Sequence, residues 1–169
     1  DPTGASPINF TAVFSEATYG FVGLDVTLSG TANPKVANVT GGSATYNVAV
    51  SNMTTSGPTN TVIASIGAGV ATDAAGNGNL PSTSTDNSVI YNSNAPIVAI
   101  DLQITSDSGI SNVDNITNAA SPIFNVAFDE AVSGLTNTDF SNVGTATGCI
   151  FAVGAPTGNS YPVTVSGCS

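Results

Sequence analysis

The residues of this 169-residue chain that could do chemistry are eleven acidic side chains and two cysteines, because Lys35 is its only basic residue and it has no His and no Trp. Without an imidazole, Ser-His-Asp and Cys-His catalysis and His-ligated zinc are impossible within the chain. Carboxylate chemistry remains. Two carboxylate pairs recur at one spacing, Glu16 with Asp25 and Glu130 with Asp139. A glycosidase uses an acid and a second carboxylate about 5 to 9.5 Å apart. It also lines its cleft with aromatic platforms, whereas most Phe residues here fall on alternating core positions. Because catalytic pairs are rarely duplicated within one chain, the repeated spacing points instead to turn ligands or caps.

Five other carboxylates, Asp73, Asp86, Asp101, Asp107 and Asp114, are calcium candidates. Calcium takes six to eight hard oxygen ligands, which carboxylates, Asn side chains and loop carbonyls provide together. The regular EF-hand spacing is absent, so no single loop would carry the ion. The competing reading is that these residues solvate and fix their loops as Asx-turn formers. Cys149 and Cys168 form an even pair on either side of one expected strand, and a disulfide between them is expected. It would close a loop of about 20 residues, contribute about 3 kcal/mol and argue for an oxidising compartment. Lys35, in Asn33-Pro34-Lys35, has nothing around it that marks an isopeptide bond. The sequons at Asn9, Asn38, Asn52 and Asn115 are no more than chance gives in so Asn-, Ser- and Thr-rich a chain.

The elements that must position these residues are strands. Apolar residues nowhere recur with a helical period, and Leu, Glu, Lys and Arg are scarce. Ile8, Phe10, Ala12 and Phe14, and then Tyr46, Val48 and Val50, alternate with other residues at the period of two that buries one face. Further strands are expected at Asp25 to Leu28, Val36 to Val39, Thr61 to Ile66, Val89 to Tyr91, Val98 to Ile104, Ile123 to Phe128, Cys149 to Val153 and Tyr161 to Val165. Turn formers such as Gly41-Gly42, Gly76-Asn77-Gly78-Asn79 and Thr157-Gly158-Asn159 separate them, a cadence that reads as an all-β antiparallel sandwich. The net charge of −10 repels phosphate backbones and anionic lipid, which excludes nucleic acid as a partner. The longest apolar runs, about six residues, are too short to span a bilayer in helical form.

An internal repeat orders these strands. Ala5-Ser6-Pro7-Ile8 returns as Ala120-Ser121-Pro122-Ile123, and Phe14-Ser15-Glu16-Ala17 as Phe128-Asp129-Glu130-Ala131. Gly20-Phe21 parallels Gly134-Leu135, Asp25 parallels Asp139, Tyr46 parallels Tyr161, and Val50-Ser51 parallels Val165-Ser166. The offset is about 114 residues, and such self-similarity points to an array. Two units are therefore expected, 1–94 and 95–169. The first lacks a counterpart of Val98 to Ile104, and the second lacks counterparts of Thr61 to Ile66 and Val89 to Tyr91. The missing strands would come from the same chain or from a neighbouring subunit.

Together Asp73-Ala74-Ala75-Gly76-Asn77, the Phe-Ser-Glu with Asp25 nine residues on, Asn94-Ala95-Pro96, Ser106-Asp107-Ser108-Gly109 and Asp114-Asn115-Ile116-Thr117 resemble the bacterial immunoglobulin-like repeats of large surface adhesins and secreted multidomain proteins. The resemblance spans nearly the whole chain. It implies tandem seven-stranded immunoglobulin-like sandwiches, and in many such proteins calcium at or near the junctions. The expected function is a non-enzymatic, secreted or cell-surface structural repeat in an adhesin stalk or surface filament. Its partners would be neighbouring repeats of the chain or neighbouring subunits of a fibre. The alternative is a carbohydrate-binding or spacer module of a secreted enzyme, for which Tyr19, Phe21 and Phe140 are the candidate exposed rings.

Overall fold

The computed structural model describes residues 2–54 and 57–169; Asp1, Thr55 and Ser56 lie outside it. The described residues are all-β, with short 3₁₀ turns, several open sheets and no α-helix. They divide into two compact units, Asp1–Asn94 and Ala95–Ser169.

The first unit holds seven strands: β1 (Pro2–Thr3), β2 (Ile8–Val13), β3 (Val26–Ser29), β4 (Val36–Gly42), β5 (Thr45–Ser51), β6 (Asn60–Ile66) and β7 (Ser88–Tyr91). They form two sheets, β1-β7-β6-β3 and β2-β5-β4. The alternation read from β5 is seen directly, since Tyr46, Val48 and Val50 are buried while Thr45 and Asn47 are exposed. Together with Ile8 and Ala12 of β2, and with Val26, Val62 and Tyr91 of the other sheet, these residues form one core. Val50 and Val62 are entirely buried. β1 is an addition to the expected strands. It pairs in parallel with β7, Pro2 beside Ile90 and Thr3 beside Tyr91, and two residues are too few to show any period.

The second unit is one antiparallel sheet, β10-β11-β9-β8, built from β8 (Val98–Leu102), β9 (Ile123–Phe128), β10 (Ile150–Val153) and β11 (Ser160–Ser166). Its register places Val98, Ile100 and Leu102 beside Phe128, Val126 and Phe124, and those beside Tyr161 and Val163. Phe151 and Val153 follow beside Val165 and Val163. Directly opposed residues share a face, so one face of this sheet is apolar throughout. Val126 and Val163 at its centre are buried, whereas Val98 and Ile100 on the edge strand are half exposed. Among the described residues the second unit contains no second sheet. β8 ends at Leu102, short of the expected Ile104, because Gln103 to Thr105 turn away. The N–H groups of Ser106 and Asp107 both donate to Gln103 O, at 2.7 and 3.0 Å.

Candidate functional site

The two repeated aspartates are turn ligands. Asp25 closes the 3₁₀ turn Gly23–Asp25, where its Oδ2 accepts the Val22 N–H at 2.8 Å. Asp139 closes the turn Asn137–Asp139, where its Oδ2 accepts the Thr136 N–H at 2.7 Å and the Thr136 hydroxyl at 2.9 Å. Each turn is preceded by a glycine in the left-handed region, Gly20 at φ 83° and Gly134 at φ 82°. A side-chain oxygen satisfying a free N–H at the start of a helical turn stabilises that turn, which gives each aspartate a role without catalysis.

The repeated tyrosines do parallel work. Tyr46 Oη donates to Thr18 O at 2.8 Å and Tyr161 Oη to Val132 O at 2.9 Å. Each ties its β5- or β11-type strand to the segment that follows β2 or β9. In the first unit Tyr46, Phe14 and Phe21 form a three-ring cluster with edge-to-face contacts at 5.2 to 5.7 Å. In the second the equivalent contact is the single pair Phe128 and Tyr161, at 6.0 Å. The position of Phe21 is occupied there by Leu135.

The calcium candidates fall in both units. In the first, Asp73 organises its own loop. Its Oδ1 accepts the N–H groups of Ala75 and Asn77, both at 2.8 Å, and its Oδ2 accepts Asn77 Nδ2 at 2.8 Å. The Asn77 side chain and then its N–H hold this carboxyl below the usual carboxylate range. Asp86 is exposed and its N–H donates to Ser84 Oγ. In the second unit Asp101 is exposed on β8. Asp107 is half-buried, with Oδ2 accepting the Asn115 N–H at 3.2 Å and Oδ1 enclosed without a protein partner. Asp114 accepts the N–H groups of Ile116 at 3.1 Å and Ser111 at 3.4 Å, and its carboxylate fills the space where a Cβ on Gly109 would stand. Among the described residues no three acidic, Cys or His side chains gather as a metal site. Among the described residues Asp107 Oδ1 is the one buried side-chain oxygen without a hydrogen-bond partner.

Cys149 and Cys168 are joined, with S–S 2.05 Å. The bond links the residue before β10 to the segment after β11, beside the paired backbones of Thr147 and Ser169. Of the three candidate aromatic rings, Tyr19 is exposed, Phe21 is in the core, and Phe140 is partly covered and stacks on Phe151 at 6.0 Å. A flat row of exposed rings is therefore not formed by these three. Lys35 is exposed and donates to Asn33 Oδ1 at 2.8 Å.

Two features carried no legible signal. Asn79, read only as part of a turn run, is a four-bond hub. Its Oδ1 accepts the N–H groups of Val70 and Ala71, and its Nδ2 donates to Gly67 O and Leu80 O, all at 2.7 to 2.9 Å. Beside it a cleft of about 740 Å³ opens in the first unit. It is lined by β2 from Phe10 onward, by Val26, Ala64 and Ile66, and by the 78–84 loop. Glu16, Asp73 and Asp86 also border it.

Against known families, one segment of the chain matches. Residues 94–157 match the family model of the bacterial Ig-like domain. The Ig-like match takes in β8, β9, the Asp139 turn and β10. It agrees with the all-β sheets and with the family resemblance of the sequence. Bacterial Ig-like domains are structural, extracellular modules that are typically non-catalytic, and the intramolecular disulfide fits an extracellular or surface protein. No curated protein and no solved structure is similar enough to match the chain. No helix among the described residues is long and apolar enough to cross a membrane.

Proposed function

We propose that this chain is a non-enzymatic stretch of a tandem Ig-like array, forming part of the stalk of a bacterial surface adhesin or the body of a surface filament. One observation carries the reading: both units use the same devices, an Asp-closed 3₁₀ turn and a Tyr-to-carbonyl tie, at equivalent positions. Asp25 and Asp139, one member of each repeated carboxylate pair, are engaged in holding turns, and repetition of one structural unit is what an array requires. Partners are then neighbouring repeats or subunits. Antibody labelling of intact cells, with electron microscopy of the native protein, tests this. Surface labelling and a beaded or fibrous particle are expected, and a compact intracellular particle would overturn it.

The carbohydrate-binding or spacer alternative draws support from the exposed ring of Tyr19 alone. Retention on insoluble polysaccharide that is lost in Tyr19→Ala would favour it. Calcium belongs to the array reading at the Asp107 loop, where the buried Oδ1 would gain a cation to face. Calcium added after chelation is expected to raise the melting temperature of the protein through binding to the folded state, and to do so less in Asp107→Asn.

A further inference from the structure

β2 is the edge of its sheet. It pairs with β5 on one side, and on the other it has no strand partner among the described residues. The Phe14 N–H, just past β2, donates to Ala44 O at 2.8 Å, toward β5. Backbone groups alternate sides along a strand, so the amides of Asn9, Thr11 and Val13 face away from β5. This edge contains no charge and no proline between Asn9 and Val13, the devices that usually blunt an edge. The cleft of about 740 Å³, which has both polar and apolar lining, is bordered by β2 from Phe10 to Val13.

The second unit shows what fits such an edge. β9 corresponds to β2 in the repeat, with Phe124, Val126 and Phe128 matching Phe10, Ala12 and Phe14. On the edge of β9 that faces away from β11 lies β8, antiparallel, with Leu102, Ile100 and Val98 beside those three residues. A strand placed on β2 in the same register would point its three apolar side chains toward Phe10, Ala12 and Phe14, all of which line the cleft.

We propose that the β2 edge and its cleft are a docking site for a β8-type strand, antiparallel to β2, carried by a neighbouring repeat of the array. The source of the strand rests on the array reading, but the pairing does not. Backbone hydrogen bonds to Asn9, Thr11 and Val13 would give affinity, and the alternate side chains in the cleft would give selectivity, as in other strand-addition interfaces.

The test is amide exchange by NMR on the 169-residue protein, with a peptide of residues 96–104 carrying two added lysines for solubility. It is titrated to about 1 mM, the effective concentration of a tethered strand. Protection of the Thr11 and Val13 amides should rise at least tenfold, with little change at Phe10 and Ala12. A Val98→Lys/Ile100→Lys peptide should lose at least tenfold in affinity, and an Ala99→Lys peptide should not. Thr11→Pro in the protein, which removes an N–H facing away from β5, should abolish docking while the Phe10 amide stays protected. No protection, equal protection by a scrambled peptide, or protection that grows with protein concentration alone would overturn the assignment. Failure here leaves the cell-surface and microscopy results untouched, and the reverse also holds.

Discussion

The two units solve one packing problem to different depths. In the first, the apolar face of β2-β5-β4 meets a second sheet, and eleven hydrophobic residues form one buried cluster. In the second, the corresponding sheet gains a strand, β8, yet has only two buried hydrophobic residues, Val126 and Val163. The apolar periodicity is equally good in both. Periodicity creates a face that must be covered, but what covers it is decided elsewhere in the chain, and burial rather than pattern sets stability.

The largest expected effect is a gap in exchange protection within the intact chain. Amides of Val48, Val50 and Val62 should be protected at least ~100-fold more strongly than those of Val126 and Val163, a difference of about 3 kcal/mol in opening free energy. Equal protection, measured by hydrogen exchange, would break the comparison. Next, replacing both cysteines by Ser should destabilise the second unit by about 3 kcal/mol, the cost of freeing a loop of this length in the unfolded chain. The first unit's thermal transition should not move, and a shared shift in calorimetry would show that the units unfold together.

Smaller again are the tyrosine ties. Tyr46→Phe leaves the Thr18 carbonyl without its buried partner and should cost about 1 to 3 kcal/mol, read by denaturant unfolding. Tyr161→Phe, at a half-buried site, should cost less, and a reversed order would contradict the difference in burial. The smallest effect concerns Asp73. Its folded pKa is depressed, so its contribution is present above the unfolded value of about 3.9 and is lost as pH falls through the lower folded one. Protection of the Ala75 and Asn77 amides relative to their intrinsic exchange should fall in that acid window, and Asp73→Asn should remove this change in protection.

Much of the fold was legible because its cause is local. Ile123 to Phe128 is a strand with the bounds its alternation gives, β10 starts one residue later than expected, and β11 is one residue longer at each end. The role of Asp25 and Asp139 could be read as capping because duplication argued against catalysis. The Cys149–Cys168 bond followed from an even count. β1 could not be read, since a parallel pair with β7 depends on residues almost ninety positions away. The hub at Asn79 was equally hidden. An Asn in a Gly-rich run looks like any turn former until the strands bring Gly67, Val70 and Ala71 around it. The cleft is longer-range still, made by β2 and by a loop more than sixty residues later.

The bond between Cys149 and Cys168 also has a mechanical side. If the chain is pulled from its two ends, every stretch can unravel except the 19-residue span between those sulfurs. At about 3.3 to 3.6 Å per extended residue, roughly 65 Å of length is withheld from extension. Reduction would release that length as a discrete increment. The thin second unit thus carries a covalent stop that limits how far force can draw it out, however weakly its sheet is packed.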